Sequence, residues 1–514
     1  MKKLITLSIL CLVAGAARSK EIPEYCLENN AVQHYVHDFV YDDDDYSYTN
    51  ILDYCDPEPY KYYKYDGYRK DRPEPASLEF PSALAQDGIL YVSENRDFSD
   101  SLTYNVKAGA TGYDVYNLIP GRTYYYKVEC PEIVCSDVFR TTGTLRQLNV
   151  DGIFNVRDMG GWIGLGGNPI KYGKLFRGSR MTNNGSGTEI ITAAGKKAML
   201  DAGIRGDLDL RTSSERNLTK SPLANNTDVK VDYYPIDDSY KSRISTFDQS
   251  DASIRGIKWI ISELKKDRPV YFHCSVGADR TGTVAFLIGA LCGMSESDLA
   301  KEFELTSFSA DSVVTNGKIE DLRRRRTYDG RFDNSEADYK YALLIEKVKA
   351  LTGSTLQRKV YNHLKNGVKS GGEKIKEDDL DWLVTYLTGY KLVRKLTAGV
   401  RSISLKEGES YQLTPTFTPA DATDTLITYR SLNPEIATVT PDGLVTAVSA
   451  GITYIMISID GLSASVKTTV TADESGVMHV KTAIQDEPAV NMAGQQIYAP
   501  AGMFIQGGKK YIYK

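Results

Sequence analysis

The segment from His273 to Gly282 places a cysteine and an arginine at a spacing that can do chemistry. Cys274 is followed by five residues and then by Arg280, with small residues between them. An apolar strand-like run precedes the segment and an apolar helical run follows it, which predicts a loop that opens a buried helix. Such a loop points backbone N–H groups at a phosphate dianion and favours the thiolate form of a cysteine. The sequence therefore predicts Cys274 as nucleophile and Arg280 as a two-point phosphate clamp.

The other residues of the loop have expected roles that follow from their size and position. Gly277 lets the backbone curl closely around a ligand. Thr281 is expected to donate a hydrogen bond to the thiolate and help it leave in a second step. His273 is expected to orient the loop through backbone carbonyls and not to act as a base. Phosphate contacts are expected from Ser275, Val276, Gly277, Ala278 and Thr281.

Three further segments precede this loop in the chain: Asn155-Val156-Arg157-Asp158-Met159-Gly160-Gly161, Leu175-Phe176-Arg177-Gly178-Ser179 and Asp209-Leu210-Arg211. With the loop, they resemble the bacterial tyrosine/serine phosphatases of the protein tyrosine phosphatase superfamily, over about residues 155–310. The resemblance implies hydrolysis through a phosphocysteine, with no metal or organic cofactor. The family loop often has lysine where this chain has Ala278, which weakens a phosphoinositide substrate.

The general acid that protonates the leaving oxygen has more than one candidate. The resemblance points to Asp279 within the loop. Asp237 and Asp238 follow a strand-like run and are the alternatives, since they could sit on a mobile lid. A second open question concerns Asn155, Arg157 and Asp158, which either line the site or only brace it.

The elements around these residues alternate between strand and helix patterns over 147–392, which predicts an α/β domain with a central, mostly parallel sheet and flanking helices. Strands are expected at 204–211 and 269–273. Helices are expected at 196–203, 255–266 and 280–292, and at about 296–308, 335–351 and 376–389.

Two all-β sandwich domains are expected on either side, so the fold class is multidomain. Residues 77–146 resemble a fibronectin type III domain through Leu118, Pro120, Gly121 and Tyr124. Residues 396–472 resemble a bacterial immunoglobulin-like domain of group 2, through the pattern YRSLNPEIATVTPDGLVTAVSAG. Residues 20–76 are an acidic, tyrosine-rich segment, interpreted as a loosely ordered surface segment. Residues 473–514 resemble the C-terminal tails of secreted Bacteroidetes proteins, some of which are sorting signals.

Residues 1–19 have the charged start, apolar stretch and small residues of a secretory signal peptide, with an uncleaved anchor as the alternative. The protein is therefore expected to be exported to the periplasm, the cell surface or the medium, without a transmembrane segment. Export permits disulfides, and Cys130–Cys135 and Cys26–Cys55 are the suggested pairs. Cys274 and Cys292 flank a long helical segment, which predicts that they cannot pair.

A net charge of −5 gives no reason to expect nucleic acid as a partner. The expected substrate is a phosphorylated protein or a small phosphoester. The β domains are candidates for binding glycans or cell-surface components. Two rival functions stay open: a phosphatase of inositol polyphosphates or phosphoinositides, and a surface adhesin whose phosphatase domain is only a scaffold. The basic run at 323–326 could supply a pocket rim for the first rival.

Overall fold

The computed structural model describes residues 21–37, 72–236, 250–315, 318–324, 341–472, 502–506 and 509–513 of the 514-residue chain. The chain divides into two compact units, Met1–Tyr390 and Lys391–Lys514. The predicted signal peptide lies outside the described residues, as do Asp237, Asp238 and Cys55.

The first unit begins with a β region built from short, aromatic-rich strands. Its five-stranded sheet has the order β1-β7-β6-β3-β4, and β2 pairs with β5 beside it. The hydroxyl of Tyr124 accepts a hydrogen bond from the Ile119 N–H at 3.0 Å, which fixes the turn between β5 and β6. The likeness of this region to fibronectin type III domains stays a prediction. The elements are β1 (Glu24–Cys26), α1 (Asn30–His37), β2 (Ala76–Glu79), β3 (Gly88–Ser93), β4 (Leu102–Val106), β5 (Gly112–Val115), β6 (Thr123–Glu129) and β7 (Ile133–Thr142).

Within residues 20–76 the structure describes 21–37 and 72–76, and both parts pack against the fold; the acidic, tyrosine-rich runs at 42–48 and 60–68 lie outside the described residues, so their interpretation as a loosely ordered surface segment stays a prediction. Strand β1 pairs in parallel with β7, and β2 begins at Ala76, which is fully buried. Val32 and Tyr35 of helix α1 are also fully buried. These apolar residues lie at helical spacing, so one face of α1 packs inward while the acidic, tyrosine-rich run follows it.

The α/β region that follows contains a sheet of order β11-β10-β12-β9-β8. Its first four strands are parallel and β8 is antiparallel to β9. The central strand, Val270–His273, is buried on both faces, as expected for a strand with helices on either side. The strands are β8 (Arg157–Asp158), β9 (Leu175–Gly178), β10 (Gly206–Asp209), β11 (Asp232–Pro235) and β12 (Val270–His273), followed by a hairpin of β13 (Ala310–Thr315) and β14 (Lys318–Arg324).

The described helices of this region lie at the expected helical segments, although residues 335–340 of one segment lie outside the described residues, and two helices are added, at 213–216 and 356–366. Helix α5 is buried along its whole length, which fits its apolar sequence on every face. The helices are α2 (Ala193–Asp201), α3 (Ser213–Arg216), α4 (Ala252–Leu264), α5 (Asp279–Leu291), α6 (Glu296–Glu304), α7 (Tyr341–Lys349), α8 (Leu356–Asn366) and α9 (Glu377–Thr388), with 3₁₀ turns at Leu165–Gly167, Pro222–Ala224 and Leu305–Phe308.

The second unit is all-β. A four-stranded sheet of order β16-β23-β22-β19 and a three-stranded sheet of order β17-β21-β20 enclose an aliphatic core that includes Ile455, Ile457 and Val466. The strands are β15 (Lys395–Thr397), β16 (Ser402–Lys406), β17 (Ser410–Gln412), β18 (Thr416–Thr418), β19 (Thr428–Ser431), β20 (Ala437–Val439), β21 (Leu444–Ala447), β22 (Gly451–Ile459) and β23 (Leu462–Thr471), with a separate pair of β24 (Gly502–Gln506) and β25 (Lys509–Tyr513).

The suggested Cys130–Cys135 disulfide is wrong, because both residues are free thiols. In the β6–β7 hairpin Cys135 faces Val128, while Cys130 lies past the last pair of the ladder. The two sulfurs are therefore out of register, and Cys130 donates to the Gln86 carbonyl at 3.0 Å. Cys274 and Cys292 are also free, at the two ends of α5.

Candidate active site

The loop from Cys274 to Ala278 lies at the carboxyl end of β12, where a parallel α/β sheet commonly binds its ligand. Neighbouring strands β10 and β9 are parallel to β12 and end at the same edge, and Arg180, two residues beyond β9, contacts the loop. Gly277 has φ +76°, and a Cβ there would lie 2.5 Å from the Gly178 carbonyl oxygen. Glycine is needed at this position because the loop packs directly on the backbone of β9, while its expected close approach to a ligand stays a prediction.

Four consecutive carbonyl oxygens, from Cys274 to Gly277, accept hydrogen bonds from side chains outside the loop. In loop order the donors are His273 Nδ1 at 3.2 Å, Arg180 Nη1 at 2.9 Å, Asn155 Nδ2 at 3.0 Å and Arg177 Nη2 at 2.7 Å. A peptide C=O and N–H point in opposite directions, so carbonyls tied outward turn N–H groups inward. Within the described residues, the N–H groups of Ser275 to Ala278 donate to no protein acceptor. This arrangement is a cradle for an anion.

A buried cluster of charges holds two of these donors in place. Glu302 on α6 accepts from Arg157 Nε at 2.9 Å and from Arg177 Nη1 at 2.5 Å. Arg157 also donates to the Asn155 Oδ1, which leaves the Asn155 Nδ2 facing the loop. Burial and the nearby Arg157 charge lower the pKa of Arg177 to about 10. Burial disfavours ionised Glu302, but the two arginines outweigh burial and lower its pKa.

Arg280, in the first turn of α5, is held by a bidentate ion pair with Glu215 on α3. The two nitrogen–oxygen distances are 2.7 Å and 2.9 Å. Glu215 also accepts from the Ser275 hydroxyl at 3.0 Å and from the Thr212 N–H at 2.8 Å. Burial disfavours its charge, but the bonds from Arg280 prevail and hold the pKa of Glu215 well below its usual range. The Arg280 Nε is buried and has no partner among the described residues, so it is left for a ligand.

Cys274 is fully buried, and its Sγ lies 3.9 Å from the Asp279 Oδ1. Asp279 is the first residue of α5 and is 8% exposed. The expected hydrogen bond from Thr281 to the sulfur is absent, because the buried Thr281 Oγ1 has no partner within the described part of the chain. The thiol and a carboxylate therefore face the same small space.

His273 contacts the backbone of the loop that it is expected to orient. Its Nδ1 donates to the Cys274 carbonyl, and its Nε2 lies 3.1 Å from the Asp207 Oδ1. Burial opposes a charge on the ring, but Asp209 and Asp207 outweigh burial and raise the pKa of His273. Both ring nitrogens meet acceptors, which suits the doubly protonated imidazolium.

The tyrosine phosphatase family matches residues 148–357, the part of the chain that carries this loop and its braces. Residues 148–357 are a tyrosine phosphatase family domain. The bacterial Ig-like domain of group 2 matches residues 397–470 in the second unit. The recognition of a tyrosine phosphatase domain and of a group 2 Ig-like domain from the sequence motifs is thereby confirmed.

Comparison with curated proteins gives no match. Domains 4 and 5 of the S-layer protein SbsC are 19% identical over 16% of this chain and 53% of that one, with a TM-score of 0.15. Domains 5–6 of SbsC are 14% identical over 23% of this chain and 81% of that one, with a TM-score of 0.14. A structure of titin kinase and its flanking domains is 10% identical over 78% of this chain and 94% of that one, with a TM-score of 0.16. These scores are too low to carry an argument.

The phosphatase domain brings together all the predicted residues of the loop and leaves Asp158 apart. Asn155 and Arg157 brace the loop from behind. Asp158 is buried and pairs with Arg146 at 3.2 Å, so among the described residues it neither lines the site nor pairs with Arg157. Asp237 and Asp238 lie outside the described residues.

Sequence reasoning assigned no role to four residues of the phosphatase domain that hold its loop: Arg177, Arg180, Glu215 and Glu302. The first three lie in or close to the sequence motifs that carry the family resemblance, and that position is the signal by which they could be found. Glu302 gave none, because a glutamate in an amphipathic helix ordinarily faces solvent.

Among the described residues, no group of three or more His, Cys, Asp or Glu side chains is placed to hold a metal ion. No helix in the described ranges is long and apolar enough to cross a membrane.

Proposed function

We propose that this chain is an exported, cysteine-dependent phosphatase that hydrolyses phosphomonoesters through a phosphocysteine on Cys274. One observation carries the proposal. Within the described part of the chain, the loop Cys274–Ala278 has its carbonyls tied outward and N–H groups that meet no protein acceptor, beside a buried Cys274 thiol and an Arg280 Nε that has no partner there. A phosphate dianion would supply acceptors for all of these donors.

In the first step the Cys274 thiolate attacks phosphorus and forms an S–P bond while the P–O bond to the leaving group breaks. The leaving oxygen takes a proton from a general acid. In the second step water attacks the phosphocysteine, its proton passes to the same carboxylate, and the S–P electrons return to the thiolate. Arg280 and the loop N–H groups stabilise the charge on the phosphoryl oxygens in both steps.

Asp279 is the proposed acid and base. Its carboxylate lies 3.9 Å from the sulfur, in the same buried space as the proposed nucleophile. Thr281, whose hydroxyl is buried and unpartnered among the described residues, is proposed to meet the sulfur or the phosphate once a ligand is bound.

The proposed substrates are phosphotyrosine, phosphoserine or phosphothreonine residues of proteins, met outside the cytoplasm. The sequence of residues 1–19 and the Ig-like domain support this location, and the β regions are proposed to bind glycan or cell-surface components. A phosphatase of inositol phosphates is the second candidate, favoured by the basic run at 323–326, whose first two residues lie in β14, and opposed by Ala278 in the loop.

A substrate panel tests the proposal: phosphotyrosine peptide, phosphoserine peptide, phosphoinositides and inositol hexakisphosphate, each with wild type and Cys274→Ser. The variant should lose turnover and still bind tungstate, a phosphate analogue, because Arg280 and the N–H groups remain. Substantial hydrolysis by Cys274→Ser would refute the nucleophile. A scaffold without activity would bind tungstate and turn over nothing in either form.

A further inference from the structure

We propose that residues 24–37, which lie outside the family-matched segment, are a working part of the phosphatase domain. They fix the position of α6, and α6 in turn fixes the catalytic loop. The inference rests on the proposed function in one respect only, that the loop is catalytic.

Helix α1 contacts the phosphatase domain at the segment formed by α6 and the 3₁₀ turn after it. The buried ammonium of Lys301 on α6 donates to the Val36 carbonyl at 2.8 Å. That carbonyl is in the last turn of α1, where carbonyls lack partners within the helix. The ring of Tyr35 lies 5.4 Å from that of Phe308, and both side chains are fully buried.

The other end of α1 is anchored to the chain that enters the phosphatase domain. Glu28, 2% exposed, accepts from the N–H groups of Thr144 and Leu145 at 2.8 Å and 2.7 Å. Asn29 caps α1 by accepting from the Val32 N–H at 3.1 Å. The helix is thus fixed at its start and held against α6 at its end.

The path from α6 to the loop is short. Lys301 is followed by Glu302, whose carboxylate accepts hydrogen bonds from Arg157 and Arg177. Arg177 in turn donates to the Gly277 carbonyl of the loop. The Thr306 hydroxyl, two residues before Phe308, accepts from the Asn155 Nδ2, which also bonds the loop. Displacement of α6 would therefore move Arg177 and Asn155, the two donors that tie the Val276 and Gly277 carbonyls outward.

A simpler account is that α1 only adds apolar burial and stability. Variants that weaken α1 would then lower the melting temperature without changing the rate per folded molecule. The two accounts differ in kcat and in hydrogen exchange of residues 274–280, measured well below the melting temperature.

The test uses the full chain with Lys301→Met and Tyr35→Ala. Leu90→Ala is the matched control, because Leu90 is fully buried in the N-terminal β region, away from α6. We expect the first two to lower kcat for p-nitrophenyl phosphate by about 10- to 100-fold and to speed exchange in the loop. Lys301→Arg keeps a hydrogen-bond donor for the Val36 carbonyl and should therefore retain most of the wild-type kcat. Leu90→Ala should lower only the melting temperature.

The inference is refuted if Lys301→Met and Tyr35→Ala keep kcat within about twofold of wild type and leave loop exchange unchanged. Failure of the proposed function would look different. Wild type would then hydrolyse no phosphoester, while faster loop exchange in Lys301→Met and Tyr35→Ala, and not in Leu90→Ala, would still establish the hold of α1 on the loop.

Discussion

The phosphatase domain and the Ig-like domain fill their interiors in opposite ways. Among the described residues of 397–470, the buried polar side chains are those of two threonines, Thr453 and Thr468. The phosphatase domain instead buries a set of charges close to its loop: Arg157, Arg177, Arg211, Asp207, Asp209 and Glu302.

Buried ion pairs are a costly way to stabilise a fold, because desolvation offsets most of their attraction. An aliphatic core of similar volume is often as stable or more so. The charges of the phosphatase domain therefore make sense as positioning devices: each hydrogen bond fixes an atom of the loop in direction as well as distance. The Ig-like domain has no such loop to hold, and aliphatic packing suffices there.

Arg280→Lys is the sharpest test of the charged side of this comparison. Lysine cannot keep the bidentate pair with Glu215 and also present a second donor to phosphate. We expect kcat/KM for a phosphotyrosine peptide to fall by roughly 10³-fold, near the upper range for loss of one charge-stabilising donor group. Lys258→Arg on the surface is the control. A loss below about tenfold would mean that the clamp is not used.

Asp279→Asn should have the next largest effect, and the effect should depend on the leaving group. Proton donation contributes typically ~10²–10⁴-fold, and a good leaving group needs little of it. We expect a loss of about 10²-fold for phenyl phosphate and a much smaller one for p-nitrophenyl phosphate, from steady-state rates. Equal losses would assign Asp279 a structural role and turn attention to Asp237 and Asp238.

A pair of variants compares the two interiors directly. Glu302→Gln leaves two buried arginines with reduced compensation, and Ile455→Ala leaves a cavity in the aliphatic core; each should cost about 3 kcal/mol of unfolding free energy in its own domain. Glu302→Gln should also lower kcat/KM about tenfold, by loosening the loop. Ile455→Ala should leave it unchanged. Equal kinetic effects would remove the distinction drawn between the two interiors.

The smallest effect concerns pH. The pKa of His273 is raised in the folded protein, so its contribution to stability is fully present below the ordinary pKa of 6.5 and is lost as pH rises through the folded value. The melting temperature of the first unit should therefore fall as the pH is raised above about 6.5. His273→Asn, which keeps a donor for the Cys274 carbonyl, should reduce that drop. An unchanged slope would show that the ring does not carry the extra proton.

The sequence predicted the loop and its place between a strand and a helix because both signals are local. Cys274 and Arg280 are six positions apart, and the flanking apolar runs set the loop geometry. It could not predict the partner of Arg157, since Glu302 is 145 positions away and follows an amphipathic pattern. Contacts of that kind depend on how helices pack, which a single sequence does not encode locally.

Helix α1 is an intermediate case. Val32, Tyr35 and Val36 have the spacing of a buried helical face, but the acidic, tyrosine-rich run after them dominated the interpretation of the whole segment. The suggested Cys130–Cys135 bridge failed for a similar reason. Proximity in sequence was visible, while the register of the hairpin was not.

Glu215 serves two structures at once. It completes the capping box that starts α3, where Thr212 accepts from its N–H, and its carboxylate also clamps Arg280. Helix α3 is a single turn of four residues and has little stability of its own. Fraying of that turn on warming would release the arginine before the domain melts. The optimum temperature for activity should therefore fall below the onset of global unfolding, with the loss fully reversed on cooling.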